Sequence, residues 1–271
     1  MKAFFDNRQW KHDPKHFMAN GVVSPSPEQP ERIKRLHAGA VAAGAVFELP
    51  DDAGMGPIAA IHTPQYLTFL QNIYPRWQRI EGAANEVIPN IHPANRTDSY
   101  PKSAIGQAGF HQADTACPIA EHTWEAAYWS AQSAIAGAAA IAGGVQQAYV
   151  LARPPGHHAV ADAPMGFCLL SNVAIAARTA VQELGVNRVL VVDWDVHHGN
   201  GTQDVFYEDE QVTFFSAHRF PFYPGTGRKW ETGRGKGLGA TVNLPLEFGV
   251  SRKDYLTAFE TALTISADKS K

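Results

Sequence analysis

The amino-acid sequence predicts an α/β protein built on a single open, mostly parallel sheet flanked by helices. The run Val189 to Val192 is aliphatic without alternation, as in a parallel strand covered on both faces. Short apolar runs of this kind alternate with longer segments that carry helix start and stop signals, the pattern of an α/β chain. Polar side chains competent for metal binding follow two of the runs directly, where open α/β sheets place their chemistry.

Lys2 to Phe5 is expected to form a first edge strand. Asp6 to Pro30 is polar and punctuated by Pro14, Gly21, Pro25, Pro27 and Pro30, so it reads as a loop carrying His12, Asp13, His16 and Glu28 in solvent. Pro30 to Ala43 predicts a helix, with Pro30 in its first turn and Gly44 past its end. Val46 to Leu49 predicts a strand and Pro64 to Ile73 a second helix. Between Tyr74 and His122 the periodicity breaks down among five prolines, with Trp77, Tyr100 and Phe110 interspersed. A stretch this long without regular structure is ordinarily functional or an interface. Trp124 to Gly143 predicts a helix whose small side chains let it approach a sheet, leading into a strand at Ala148 to Ala152.

The 271 residues, 45% of them hydrophobic, can bury a sizeable core, and one domain over 1–271 is expected. A formal charge of −3 without a Lys/Arg cluster argues against nucleic acid as a partner. Cys117 and Cys168 form no CxxC pattern, which argues against a disulfide scaffold or a thiolate zinc site and fits a cytoplasmic protein. Met1 to Phe5 is too short for a signal peptide. Ala131 to Val145 contains Gln132 and Ser133 and is shorter than a membrane span, so it reads as a buried helix and no membrane partner is expected.

The chemistry concentrates in residues 188–204. Asp195 and His197 stand two apart, so an extended backbone would point both the same way to share one cation, with Asp193 on the same side. A single Asp there would be as well explained by capping of the next turn. Asp-x-Asp-x-His-His-Gly-Asn-Gly is more than capping needs. The strand ending at Ala152 runs into Arg153-Pro-Pro-Gly-His-His158, a turn expected to bring two histidines to the same edge. The glycines at 233–239 alternate and precede a strand, which excludes a phosphate-cradling GxGxxG loop.

Taken in order, Pro154-Pro-Gly-His-His158, Gly166-Phe-Cys168, Asp193 to Gln203, Ser216-Ala-His218, Tyr223-Pro-Gly-Thr-Gly227 and Glu231 to Pro245 resemble the histone deacetylase superfamily. Asn200 and the segment 75–123 are most similar to its bacterial acetylpolyamine amidohydrolase branch. The resemblance implies an arginase-related fold and a zinc-dependent deacetylase acting on acetylpolyamines or acetyl-lysine. It makes Asp195 and His197 two of three zinc ligands. His158 would be the acid/base. His157, paired with Asp193, would stabilise the transition state, and Asn200 would face His158 with a neutral amide. Phe167, beside Gly166, and Tyr223 would wall a narrow tunnel, and Arg32 matches an arginine behind the acetate-release cavity. Potassium would be held by Asp193, Asp195 and Ser216 side chains and by main-chain oxygens of His197 and Ala217. Iron or cobalt would suit the zinc ligands as well. Residues 75–123 would form an insertion over the mouth of the site and contribute to a homodimer.

Two departures qualify the resemblance. Phe17, after His16, stands where a polyamine-selective member carries a glutamate. The family also continues into a strand bearing a third zinc aspartate and into a Gly-Gly-Tyr motif. Neither motif occurs before Lys271, so a truncated chain of doubtful activity is expected. A non-catalytic fragment or binding module is the alternative. A ureohydrolase is the second, although it needs Asp-x-His-x-Asp and the position two beyond His197 is Gly199.

Overall fold

The computed structural model describes residues 1–93, 96 and 99–270, and the chain divides into two compact units, Met1–Ala176 and Ala177–Lys271. The first begins with β1 (Lys2–Phe4), a 3-10 turn at Asn7–Lys11, β2 (His16–Ala19), β3 (Val22–Pro25), α1 (Pro30–Ala42) and β4 (Val46–Glu48). It continues with α2 (Gly56–Ala59), α3 (Pro64–Trp77), α4 (Ala104–His111), α5 (Thr123–Ala142) and β5 (Ala148–Val150), and the unit boundary falls inside α6 (Asn172–Gln182). A parallel sheet runs in the order β4-β1-β5. β1 is therefore the central strand of this sheet and not an edge, because both partners arrive from later in the chain. Phe5, Ile33 and Leu151 form a core beside it, packed by Trp10, Phe47 and Tyr149. The predicted α1 forms with Pro30 in its first turn, and α5 is buried along its small side chains.

Three stretches differ from expectation. Residues 16–25 form an antiparallel hairpin where loop was expected. Asn20 and Gly21 both take positive φ, 53° and 76°, which is the backbone of a tight hairpin turn and the conformation that Asn-Gly most readily supplies. The second helix continues past Ile73 through Pro75 to Trp77, burying the Trp77 ring, whose Nε1 donates to Ala84 O at 3.1 Å. The region expected to lack structure contains α4, N-capped by the Ser103 side chain, and a bridge between Val87 and Ile119. Positions 94, 95, 97 and 98 of that region lie outside the described residues.

The second unit contains β6 (Val189–Asp193), α7 (Asn200–Phe206), β7 (Val212–Arg219), β8 (Thr241–Leu246) and α8 (Arg252–Lys269). Its strands are parallel in the order β6-β7-β8, with Asp193 opposite Ser216 and Ser216 opposite Asn243. β7 is the middle strand and is buried from Val212 to His218, which explains its run of Phe214, Phe215 and Ala217. Phe215, Ala217 and Ala262 form the core on which α8 packs through Phe259 and Leu263. The α/β class with parallel strands and flanking helices holds, the described strands pairing within two parallel sheets and one hairpin. Among the described residues no helix is long and apolar enough to cross a membrane.

Candidate active site

The second unit places its chemistry just past β6. The backbone bends there and is not extended as expected, because each carboxylate captures an amide two residues on. Asp193 Oδ1 accepts from Asp195 N at 3.1 Å, and Asp195 Oδ1 accepts from His197 N at 2.8 Å. The bend still brings the predicted pair together, with His197 Nδ1 3.2 Å from Asp195 Oδ1. Their side chains remain 34% and 50% exposed, accessible to a ligand. His197 also stacks on Phe222, rings 5.3 Å apart and 12° from parallel, and meets the edge of Tyr223 at 5.7 Å. Phe222 was not among the expected residues. Its signal was an aromatic pair directly ahead of Pro224-Gly-Thr-Gly.

His198 belongs to a buried network with a deducible proton arrangement. Gln203 Nε2 donates to Glu231 Oε2 at 2.7 Å, so Gln203 Oε1 is the atom that accepts from Asn243 Nδ2 at 2.7 Å and from His198 Nε2 at 3.0 Å. Thr226 Oγ1 must then donate to His198 Nδ1, 2.8 Å away. His218 Nε2 donates to Gly227 O at 2.8 Å, which leaves its Nδ1 to accept from Ser216 Oγ at 3.0 Å. Burial, aided by the neighbouring His218, lowers the pKa of His198 to about 4, in keeping with this neutral network. The proposed potassium residues Asp193 and Ser216 are neighbours in strand register, and Asn200 opens α7, its N–H donating to His198 O at 2.8 Å.

In the first unit, the turn after β5 carries His157 and His158 with their rings 4.0 Å apart, His158 buried and His157 partly so. Phe167 holds a positive φ of 71°, next to Gly166, whose N–H donates to Asp114 Oδ2 at 3.1 Å. The Phe167 ring lies 5.7 Å from that of Phe17, so the residue that departs from the family pattern touches an expected tunnel wall. Arg32 is 53% exposed and sits 3.8 Å from Glu28. Glu28 and His12 are buried, contrary to the solvated loop expected of them, while Asp13 and His16 keep exposed side chains. Glu28 is drawn inward by Arg153, a fully buried guanidinium at 2.7 Å that sequence reasoning passed over as part of a turn.

Among the described residues no three His, Cys, Asp or Glu side chains gather as a metal cluster. The Asp195–His197 pair nonetheless offers a carboxylate oxygen and an imidazole nitrogen close together at a strand end, a donor set suited to zinc, iron or cobalt.

Each unit thus ends a parallel strand in side chains able to carry chemistry, Asp195 and His197 in one and His157 and His158 in the other. The histone deacetylase domain matches residues 26–270, and the chain belongs to the histone deacetylase family. An acetylpolyamine amidohydrolase of Burkholderia pseudomallei is 43% identical over 97% of this chain and 77% of its own length. Acetylpolyamine amidohydrolase 2 of Pseudomonas aeruginosa is 36% identical over the same shares. A crystal structure of acetylpolyamine aminohydrolase from Burkholderia pseudomallei superposes with a TM-score of 0.95 at 42% identity, covering 100% of this chain and 79% of that one. None of these matches establishes the truncation expected from the sequence.

Proposed function

We propose that this protein is a zinc-dependent amidohydrolase that removes acetyl or other short acyl groups from amines, as acetylpolyamines or acetyl-lysine side chains. The observation that carries the reading is the Asp195–His197 pair at the end of β6 in a chain of the histone deacetylase family. Asp195 and His197 would hold the zinc, with iron or cobalt as substitutes. When bound, the metal lowers the pKa of a water molecule and polarises the amide carbonyl. His158, buried beside His157, would accept a proton from the attacking water and return one to the departing amine. By the family resemblance His157, paired with Asp193, would stabilise the developing negative charge, and a neutral amide at Asn200 would leave His158 less basic than a carboxylate would. By the same resemblance Phe167, next to Gly166, and Tyr223 would wall the channel for the acyl-bearing stem. Arg32 would serve the acetate side of the site. Asp193, Asp195 and Ser216, with main-chain oxygens of His197 and Ala217, would hold potassium, offsetting the repulsion between adjacent carboxylates.

Segment 75–123 would cover the mouth of the site and contribute to a homodimer. A cytoplasmic setting fits the two buried free thiols, Cys117 and Cys168. The test is release of free amine from acetylputrescine and from an acetyl-lysine peptide by the purified protein. Release is expected to stop on chelation and to return with added zinc. A zinc-loaded protein that releases no amine from either substrate would instead identify a binding module.

A further inference from the structure

Arg153 opens the turn that carries His157 and His158, and its whole polar surface is engaged by residues 9–28. The side chain is 0% exposed. Nε donates to Glu28 Oε1 at 3.0 Å, and Nη2 lies 2.7 Å from Glu28 Oε2. Nη1 donates to the main-chain oxygens of His12 and of Gln9, the latter at 3.2 Å, while the Arg153 N–H donates to Gln9 Oε1 at 2.7 Å. The rest of the turn is held from another direction. Pro154 O accepts from Ser130 Oγ and Asn172 Nδ2, each at 3.0 Å. A Cβ on Gly156 would come 2.5 Å from the Asn172 nitrogen and 2.8 Å from the Leu170 oxygen, so the turn packs closely on the chain ahead of α6 and only glycine fits there.

Residues 9–28 include β2, whose Phe17 packs against Phe167. One buried ion pair therefore ties the stretch between the β2–β3 hairpin and α1 to the turn carrying the tandem histidines. Stability alone does not account for it, because two well-packed apolar side chains can replace a buried ion pair without loss. Hydrogen bonds from one guanidinium to Glu28 Oε1 and to the main-chain oxygens of Gln9 and His12 fix both distance and direction, which apolar packing does not.

We propose that Arg153 and Glu28 are a positioning pair that sets the placement of His157 and His158 relative to the Phe17–Phe167 wall. The proposal rests on the deacetylase reading for what the histidines do, and on the contacts above for how they are placed. Loss of the pair lets the turn drift, and a drift of about 1 Å is enough to cost roughly 10²-fold in rate.

The experiment is a cycle of Arg153→Met, Glu28→Gln and the double variant Arg153→Met/Glu28→Met. Arg153→Met leaves Glu28 only its 3.8 Å contact with Arg32, Glu28→Gln leaves the buried guanidinium without a carboxylate, and both are expected to lose thermal stability. The double variant is expected to recover the wild-type Tm and metal content, yet to keep a kcat about 10- to 100-fold low with KM within about threefold of wild type. Its metal-free form should also show displaced imidazole resonances for His157 and His158. Recovery of kcat together with Tm would reduce the pair to a structural role and overturn the proposal. Should the double variant fail to fold, Arg153→Lys keeps the charge but not the fork, and wild-type kcat in that variant would equally overturn it. If the wild-type protein proves not to be a deacetylase, the resonances decide, since unmoved His157 and His158 signals in a folded double variant would refute the positioning itself.

Discussion

Asp195 and His197 meet because two successive aspartates each bend the chain back onto an amide two residues later. That geometry makes the metal assignment testable one atom group at a time. Replacing either residue by Ala should abolish zinc retention through a desalting column as well as amine release, because removal of one of two identified donors leaves the ion to compete with water and chelator. Retention of zinc in equal stoichiometry by both variants would show that the ion is held elsewhere. His158→Ala should leave zinc content intact and lower kcat by on the order of 10²–10⁴-fold, the usual cost of losing a general acid/base. His157→Ala should cost less, and identical losses in the two variants would remove the division of roles. Of these four residues the sequence spoke clearly. It gave Phe222, which stacks on His197, only the weak signal of an aromatic pair ahead of Pro224, and Arg153 none, because neither residue type in its position signals chemistry until the neighbours are known.

The hairpin of β2 and β3 shows how a short signal can be masked by its surroundings. Asn20-Gly21 between Met18 and Val22 is a strong local turn pattern, but four prolines and several charges around it read as loop. Replacing Gly21, at φ +76°, by Val should strain the left-handed turn by about 1–2 kcal/mol and loosen Phe17 from Phe167. The measurement is the denaturation midpoint together with the ratio of kcat/KM values for short and bulky acylated amines, and an unchanged ratio would separate the hairpin from substrate selection. In α8 the first turn is closed by Ser251, whose Oγ accepts from Asp254 N at 3.1 Å and donates to Asp254 Oδ2 at 2.7 Å. Ser251→Ala should cost about 1 kcal/mol of stability in urea, with kcat unchanged. A loss of kcat at constant fold would mean that α8 has a further role.

Across the molecule, buried histidines make stability depend on pH. His62 Nε2 accepts from Ser171 N at 2.9 Å and Nδ1 donates to Ala161 O at 3.3 Å, so the ring is locked neutral by one group that can only donate and another that can only accept. Burial lowers its pKa to about 4, and burial beside the Arg153 charge lowers that of His12 to about 3. Both rings titrate at their ordinary value of 6.5 once unfolded, so the unfolded chain binds the extra protons in acid. Their stabilising contribution is complete above pH 6.5 and is lost as the pH falls toward the folded values, at on the order of 1 kcal/mol per pH unit for each ring. Urea midpoints measured at pH 7.5, 6 and 5 should fall in that order, and His62→Asn should flatten the fall. A midpoint independent of pH over this range would contradict the burial of both rings.

What the sequence determined by itself was local: the α/β class, the boundaries of α1 and α5, the Pro-Gly turns at strand ends, and the chemical identity of the Asp193–His198 and Arg153–His158 clusters. These rest on periodicity, capping and residue type, all of which act over a few residues. The tertiary structure decided that β1 is central in its sheet, that Glu28 and His12 are buried while Asp13 is not, and that Phe17 meets Phe167. Each depends on partners tens of residues away in the chain. Arg153 shows the difference most plainly: its burial becomes favourable only when Glu28, Gln9 and His12 are folded around it, and no local pattern encodes that enclosure.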